Sequence, residues 1–290
     1  WRQAFDGSAK RELTHTAYSH RNAVVSPDGK WVAFTADAEL RPDSVAEHER
    51  DSLSFLPYEA TRDEAARNDA DVFVMSTDGG EPRRIARWTG TESDVTWSPD
   101  SRRIAFIGRS TRTSSARVYV VNATGGTPEN ALADAFKYEP AGVEWLPDGT
   151  LLFNADVGGS SGLFRLDPSA RQAVQLLGGR RKMSGFSVDA GGRKVAYVST
   201  SMTKPTELYV ADVDGKNERR LTTFNDKLVS EVAFSDAERF TYPSVGGLEI
   251  EGWLMKPYGY QPGKKYPVVL YIHGGPHSQY GEGWFDEFQN

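Results

Sequence analysis

Ser98-Pro99-Asp100-Ser101-Arg102-Arg103-Ile104-Ala105-Phe106 reads as a turn that feeds a short strand. Proline fixes φ for the turn, and Ile104 and Phe106 then stand two apart, the period of a strand with one packed face. The module also occurs as Ser26-Pro27-Asp28-Gly29-Lys30-Trp31-Val32-Ala33-Phe34, where glycine allows a positive φ. It recurs, one residue shorter, as Leu146-Pro147-Asp148-Gly149-Thr150-Leu151-Leu152-Phe153. A degenerate copy is Asp189-Ala190-Gly191-Gly192-Arg193-Lys194-Val195-Ala196-Tyr197.

A second module follows each copy of the first: Asp71-Val72-Phe73-Val74-Met75, Arg117-Val118-Tyr119-Val120-Val121, Gly162-Leu163-Phe164-Arg165-Leu166 and Glu207-Leu208-Tyr209-Val210-Ala211. The central aromatics stand at 73, 119, 164 and 209, so the spacings are 46, 45 and 45. Repeats of this length made of strand and turn, with no helical period, indicate a β-propeller, which closes with about 4–8 blades. The chain holds roughly four blades and part of another. Trp1-Arg2-Gln3-Ala4-Phe5-Asp6-Gly7 looks like the tail of an earlier copy, so earlier blades are expected outside the chain. The distance from Trp1 to Phe73 exceeds one period by 27 residues, an insertion placed within 37–70. Within it, Glu47–Asp51 and Arg62–Arg67 suit short helical turns. The insertion reads as a solvated loop; a flap over a channel mouth is the sharper alternative. Phe34, Phe106, Phe153 and Tyr197 are expected at equivalent buried sites, and so are Phe73, Tyr119, Phe164 and Tyr209.

With 290 residues, 38% of them hydrophobic, the chain can build one large core or two smaller ones. A net charge of −6 with both signs interspersed argues against a nucleic-acid surface. There is no cysteine, which excludes disulfides, thiolate catalysis and cysteine-ligated metals. No apolar run approaches the roughly 18 residues of a membrane span. No secretory leader is legible, and localisation, cytoplasmic or periplasmic, stays open.

The repeat fades near Leu228. Phe240-Thr241-Tyr242-Pro243-Ser244 leads to Gly247-Leu248-Glu249-Ile250-Glu251-Gly252-Trp253-Leu254-Met255-Lys256-Pro257. Then comes Tyr266-Pro267-Val268-Val269-Leu270-Tyr271-Ile272-His273-Gly274-Gly275-Pro276-His277, a continuous apolar run of the kind that forms a strand buried on both faces, broken by paired glycines. This order, continued by Tyr280-Gly281 and Phe285-Asp286-Glu287-Phe288-Gln289, resembles the prolyl oligopeptidase family of serine peptidases. The likeness is closest to its acylaminoacyl-peptidase and dipeptidyl-peptidase-like branches. It covers the repeat generically and residues 240–290 specifically.

The resemblance implies a fold: an all-β propeller of several four-stranded blades, incomplete in this chain, followed by the first strands of an α/β-hydrolase domain. Residues 1–240 would be propeller and 241–290 the start of the peptidase domain. It implies a Ser-Asp-His triad acting on peptides admitted by size into a chamber between the domains. By residue matching, Gly275, with Gly274 shaping the turn, helps form the oxyanion hole, and His273 braces that loop. The Gly275 amide is then expected in a cleft. None of the triad can be carried over: the catalytic residues are expected beyond Asn290, and none in this chain. The expected partners are a peptide substrate and the remainder of the hydrolase domain, as a continuation or a second chain. No cofactor, metal, nucleic acid or membrane is expected, and a homo-oligomer is compatible with the reading.

Other candidate sites read as structural. Gly158-Gly159-Ser160-Ser161-Gly162 matches G-x-S-x-G, but it lies between two strand modules where a hairpin loop belongs. A nucleophile elbow needs a strand before it and a helix after it. His15, His20 and His48 are scattered without metal-ligand spacing. His277 suits either the rim of a site or the turn itself. Asn122-Ala123-Thr124 fits the glycosylation sequon and marks a turn. Two functions from other classes remain: a non-catalytic propeller scaffold binding a protein partner, and an esterase or isopeptidase on the same framework.

Overall fold

The two Ser-Pro-Asp turns close in the same way. Ser26 Oγ donates to Asp28 Oδ1 at 2.6 Å and accepts from the Trp31 amide at 3.0 Å, while the Lys30 amide donates to Asp28 Oδ1 at 3.1 Å. Ser98, Asp100, Arg103 and Arg102 repeat the pattern at 2.6, 2.9 and 3.1 Å. Side chains here supply partners that the backbone of a tight turn lacks. The serine hydroxyl is the largest of the effects that hold Asp28 and Asp100 below the usual carboxylate range. At Asp148 the bonds come instead from the amide and hydroxyl of Thr150, at 3.0 and 2.7 Å.

Strands follow each turn. The computed structural model describes residues 1–4, 6–57, 59, 70–88, 90–111, 114–275 and 278–289. Four four-stranded sheets, each ordered as in sequence, account for the repeats. The first holds β1 (Arg21–Val25), β2 (Trp31–Asp37), β3 (Ala70–Ser76) and β4 (Arg83–Ala86). The second holds β5 (Glu92–Trp97), β6 (Arg103–Gly108), β7 (Arg117–Asn122) and β8 (Glu129–Asn130). The third holds β9 (Pro140–Trp145), β10 (Leu151–Val157), β11 (Ser160–Asp167) and β12 (Gln172–Leu177). The fourth holds β13 (Lys182–Val188), β14 (Lys194–Ser201), β15 (Lys204–Asp212) and β16 (Arg219–Arg220). These meandering four-stranded sheets are propeller blades. Helix α1 (Asp43–Ser54) lies between β2 and β3 and includes the expected turn at 47–51. The second expected turn, Arg62–Arg67, lies outside the described residues.

The repeat aromatics meet across the ladders. Phe34 pairs with Phe73, Phe106 with Tyr119 and Tyr197 with Tyr209, with stacked rings 5.8, 5.8 and 6.0 Å apart. Phe34, Phe73, Phe106, Phe153, Phe164 and Tyr197 are buried. Tyr119 and Tyr209 are half-buried, a departure from the expected burial. A phenol keeps its polar end in reach of a partner or water, which phenylalanine at the same position does not require. The first two sheets are joined by the Trp97 indole, whose Nε1 donates to Val24 O at 2.9 Å. The Arg103 guanidinium lies 4.8 Å from the Trp145 ring, linking the second sheet to β9.

The chain divides into two compact units, Trp1–Phe153 with Arg165–Val174, and Asn154–Phe164 with Gln175–Asn290. In the first, the Trp1–Gly7 stretch forms no blade strand among its described residues; Arg2 makes one isolated bridge with Arg11. Phe5 lies outside the described residues. In the second, a short helix α2 (Asp226–Glu231) precedes a ribbon of β17 (Ala237–Pro243) and β18 (Glu249–Met255), in register from Ala237↔Met255 to Pro243↔Glu249.

The apolar run after the ribbon forms no strand among the described residues. Val268–Ile272 joins no ladder, and Val268, Val269 and Leu270 are 85%, 83% and 80% exposed. A strand buried on both faces needs neighbours on both sides. Strands β17 and β18 pair with each other, and among the described residues no strand lies beside this run.

Candidate functional site

The His273–Gly275 turn begins where the apolar run ends. His273 Nδ1 lies 2.8 Å from Gly274 O. A carbonyl can only accept, so Nδ1 carries the hydrogen in this contact. The His273 ring meets Tyr280 edge-on at 5.9 Å. Around it, Tyr271, Tyr280, Phe285 and Phe288 form an aromatic cluster, with Tyr280 and Phe288 5.0 Å apart and Phe285 and Phe288 4.7 Å apart. The Tyr271 hydroxyl donates to the Glu287 carboxylate, which is the largest cause of its raised pKa. The turn is thus tied to the segment that follows it by rings and one phenol.

Gly274 and Gly275 stand on exposed backbone, as does His273. A Cβ built on Gly274 would meet nothing within 4 Å, and Gly275 has φ of 153°. Of the three predicted residues, His273 contacts Gly274 O and all three stand exposed. The enclosure expected around the Gly275 amide is not supplied by the described residues of this chain. Pro276 and His277 lie outside the described residues.

Gly158 and Gly159 form a two-residue hairpin between β10 and β11, with Gly158 at φ 59°. The G-x-S-x-G match is a strand-to-strand turn. Ser161 is buried and donates to Asp156 Oδ1 at 2.8 Å. Sequence reasoning stopped at this rejection and missed what the hairpin does. The Gly159 amide donates to Glu251 Oε2 at 3.1 Å, and its carbonyl accepts from the Glu282 amide at 2.8 Å. A Cβ on Gly159 would fall 2.1 Å from Trp253 Cζ2, so only glycine lets the β18 indole approach this closely. The available signal was a paired glycine facing a segment that carries an isolated tryptophan.

The remaining histidines have structural surroundings. His15 Nδ1 is 3.5 Å from Glu12. His20 lies between Tyr18 and Phe34, at 4.8 and 4.7 Å, and burial lowers its pKa. His48 is exposed on α1, and Asn122 is exposed at the end of β7. In the first unit, a cavity of about 360 Å³ is lined in part by Glu39, Arg84, Arg87 and Trp88, where the chain leaves β2 towards α1.

No protein-family model matches the chain. Among curated proteins it is similar to dipeptidyl-peptidase 5 of Arthroderma otae, 27% identical over 301 residues, covering 97% of this chain and 39% of the relative. The chain therefore spans about two fifths of the length of that relative. Among solved structures it is similar to an acylaminoacyl peptidase from Pyrococcus horikoshii, with a TM-score of 0.66 and 21% identity. That match covers 92% of this chain and 37% of the other. It is also similar to TolB from Acinetobacter baumannii, with a TM-score of 0.53 and 16% identity, over 76% of this chain and 47% of that one.

Proposed function

We propose, for a chain that belongs to the prolyl oligopeptidase family of serine peptidases, that it is the propeller and oxyanion-loop portion of an enzyme cleaving short peptides. Residues 1–240 would form the propeller that gates access, and 241–290 would open the hydrolase domain. The observation that carries this reading is the His273–Gly275 turn: a backbone amide on a glycine, braced by the Nδ1–H of His273, at the end of an exposed apolar run. An isolated propeller has no use for such a run. A hydrolase sheet does, because each face of a central strand is covered by later elements.

The chemistry follows from these roles. A serine from hydrolase residues outside 1–290 attacks the peptide carbonyl. A histidine takes the serine proton and returns it to the leaving amine, and an aspartate orients that histidine. Charge accumulates on the former carbonyl oxygen, and the Gly275 N–H donates to it there. Losing one such donor typically costs about 10²–10³ in turnover. Acylaminoacyl-, dipeptidyl- and oligopeptidase specificity are all compatible with residues 1–290. The test is hydrolysis of peptidyl and acylaminoacyl chromogenic substrates by the complete enzyme, with loss of turnover after a serine-directed phosphonate. Residues 1–290 alone should be inactive. Ester turnover without peptide turnover would make the enzyme an esterase, and turnover by 1–290 that survives Ser160→Ala would locate the nucleophile elsewhere in this chain.

The second reading is a propeller scaffold that binds a protein partner. The TolB likeness favours it for the blades, as a likeness of fold. Failure of the complete enzyme to cleave any peptide or ester would leave it standing.

A further inference from the structure

Within the second unit, the excursion that carries His273–Gly275 leaves β18 and returns to the same point. Its two ends are joined by Trp253 Nε1, which donates to Glu282 Oε1 at 3.1 Å across 29 residues of sequence. The Glu282 side chain is 2% exposed, and Arg180 reaches it with Nε at 3.4 Å and Nη2 at 3.2 Å. The Glu282 amide donates to Gly159 O, and a Cβ on Gly281 would strike that same carbonyl at 2.1 Å. Arg180 also holds Asp236, at 3.1 and 3.3 Å, and Ala237 O at 2.7 Å, where β17 begins. Glu282 thus ties the returning chain to the β18 indole and Arg180 through its buried carboxylate, and to the hairpin after β10 through its backbone amide.

We propose that Glu282 is a positioning residue, a clasp that closes the base of the excursion and fixes how the His273–Gly275 turn is presented. It rests on the proposed function for its purpose, though not for its geometry. The ribbon does not need the clasp, because β17 and β18 carry a full ladder of their own. The turn does need it: two residues before Glu282, Tyr280 meets His273 edge-on and Tyr271 at a tilt. Glu282→Gln keeps the shape but removes the buried charge and turns an amide NH₂ or a neutral oxygen towards a guanidinium and an indole N–H, which weakens charge-assisted bonds. The expected response is a loosened base and a displaced amide, with the blades unchanged.

Two measurements test this. The chain has no cysteine, so spin labels at Lys216→Cys and Lys265→Cys report one distance. That distribution should broaden at least about twofold in Glu282→Gln, broaden less in Trp253→Phe, which removes one donor, and stay unchanged in Asp236→Asn. In the complete enzyme, Glu282→Gln should lower kcat by about tenfold to a hundredfold with KM within about twofold, as displacement of an oriented group does. Asp236→Asn should leave both constants unchanged. An unchanged distribution in Glu282→Gln would overturn the clasp. A broadened distribution with unchanged kcat, or a kcat loss that merely follows the unfolded fraction, would overturn its positioning role. An enzyme that cleaves no peptide in any variant would refute the proposed function, while the spin-label widths would still decide whether Glu282 closes the excursion.

Discussion

Ile104-Ala105-Phe106 and Val268-Val269-Leu270 are equally apolar, yet one is the centre of a core and the other lies open. Ile104, Ala105 and Phe106 are each 0% exposed. The difference is supplied by neighbours. Strand β6 has ladder partners on both sides, β5 and β7, and aromatic partners at Tyr119 and Trp88. The run at 268–272 joins no ladder among the described residues, and its ring contacts are those of Tyr271 with Tyr280 and Phe288. Hydrophobicity says that a segment gains from burial; topology decides whether this chain can bury it.

That contrast is broken most severely by truncation. Phe106→Ala should destabilise the first unit by about 3–5 kcal/mol, whereas Val269→Ala should change stability by less than about 0.5 kcal/mol. Urea unfolding of the two variants measures both. A cost above about 2 kcal/mol at Val269 would mean that the run is packed in solution and that the contrast fails.

Trp97→Phe sharpens it at the junction of the first two sheets. The variant keeps most of the ring but removes the N–H that reaches Val24 O. The expected loss is about 1–2 kcal/mol, since a half-buried contact loses its donor. No loss in urea unfolding would assign the sheet contact to packing alone.

The acid limb comes next. Asp28 and Asp100 have folded pKa values below the ordinary 3.8, chiefly through Ser26 and Ser98. A depressed folded pKa gives stability that is present above the unfolded value and lost as pH falls through the folded one. Both blade turns should therefore weaken below about pH 4. Asp100→Asn should flatten the dependence there and leave the slope above pH about 6 unchanged. An unaltered acid limb would show that these turns do not contribute to it.

The smallest effect is expected at the open run. Val269→Lys should leave unfolding of this chain within about 0.5 kcal/mol of the parent and reduce self-association in sedimentation, because exposed apolar patches promote contact between molecules. Increased association would remove Val268–Leu270 as the adhesive surface.

The blades were legible because their signals are local. A Ser-Pro-Asp turn writes its own hydrogen bonds, and alternation places Phe34 opposite Phe73 without knowledge of the rest of the chain. The half-burial of Tyr119 and Tyr209 was not legible, because it depends on where each hydroxyl ends. The run at 268–272 reads as a strand from its apolar content, which reports a preference for burial and says nothing about who provides it. At the candidate site, the sequence picked out His273, Gly274 and Gly275, which stand on exposed backbone in this chain. It did not reveal Glu282, one glutamate among many charged residues, whose burial depends on Arg180, Trp253 and Gly159 converging from distant parts of the chain.

The most direct measurement is a crystal structure of the complete enzyme carrying a tetrahedral adduct with a peptidyl transition-state analogue. The Gly275 nitrogen should lie about 2.7–3.1 Å from the adduct oxygen, with Val268–Ile272 paired into the hydrolase sheet and both its faces covered. A Gly275 amide turned away from the adduct, or a run still open to solvent, would contradict the assignment of this chain as the oxyanion-loop portion of a peptidase.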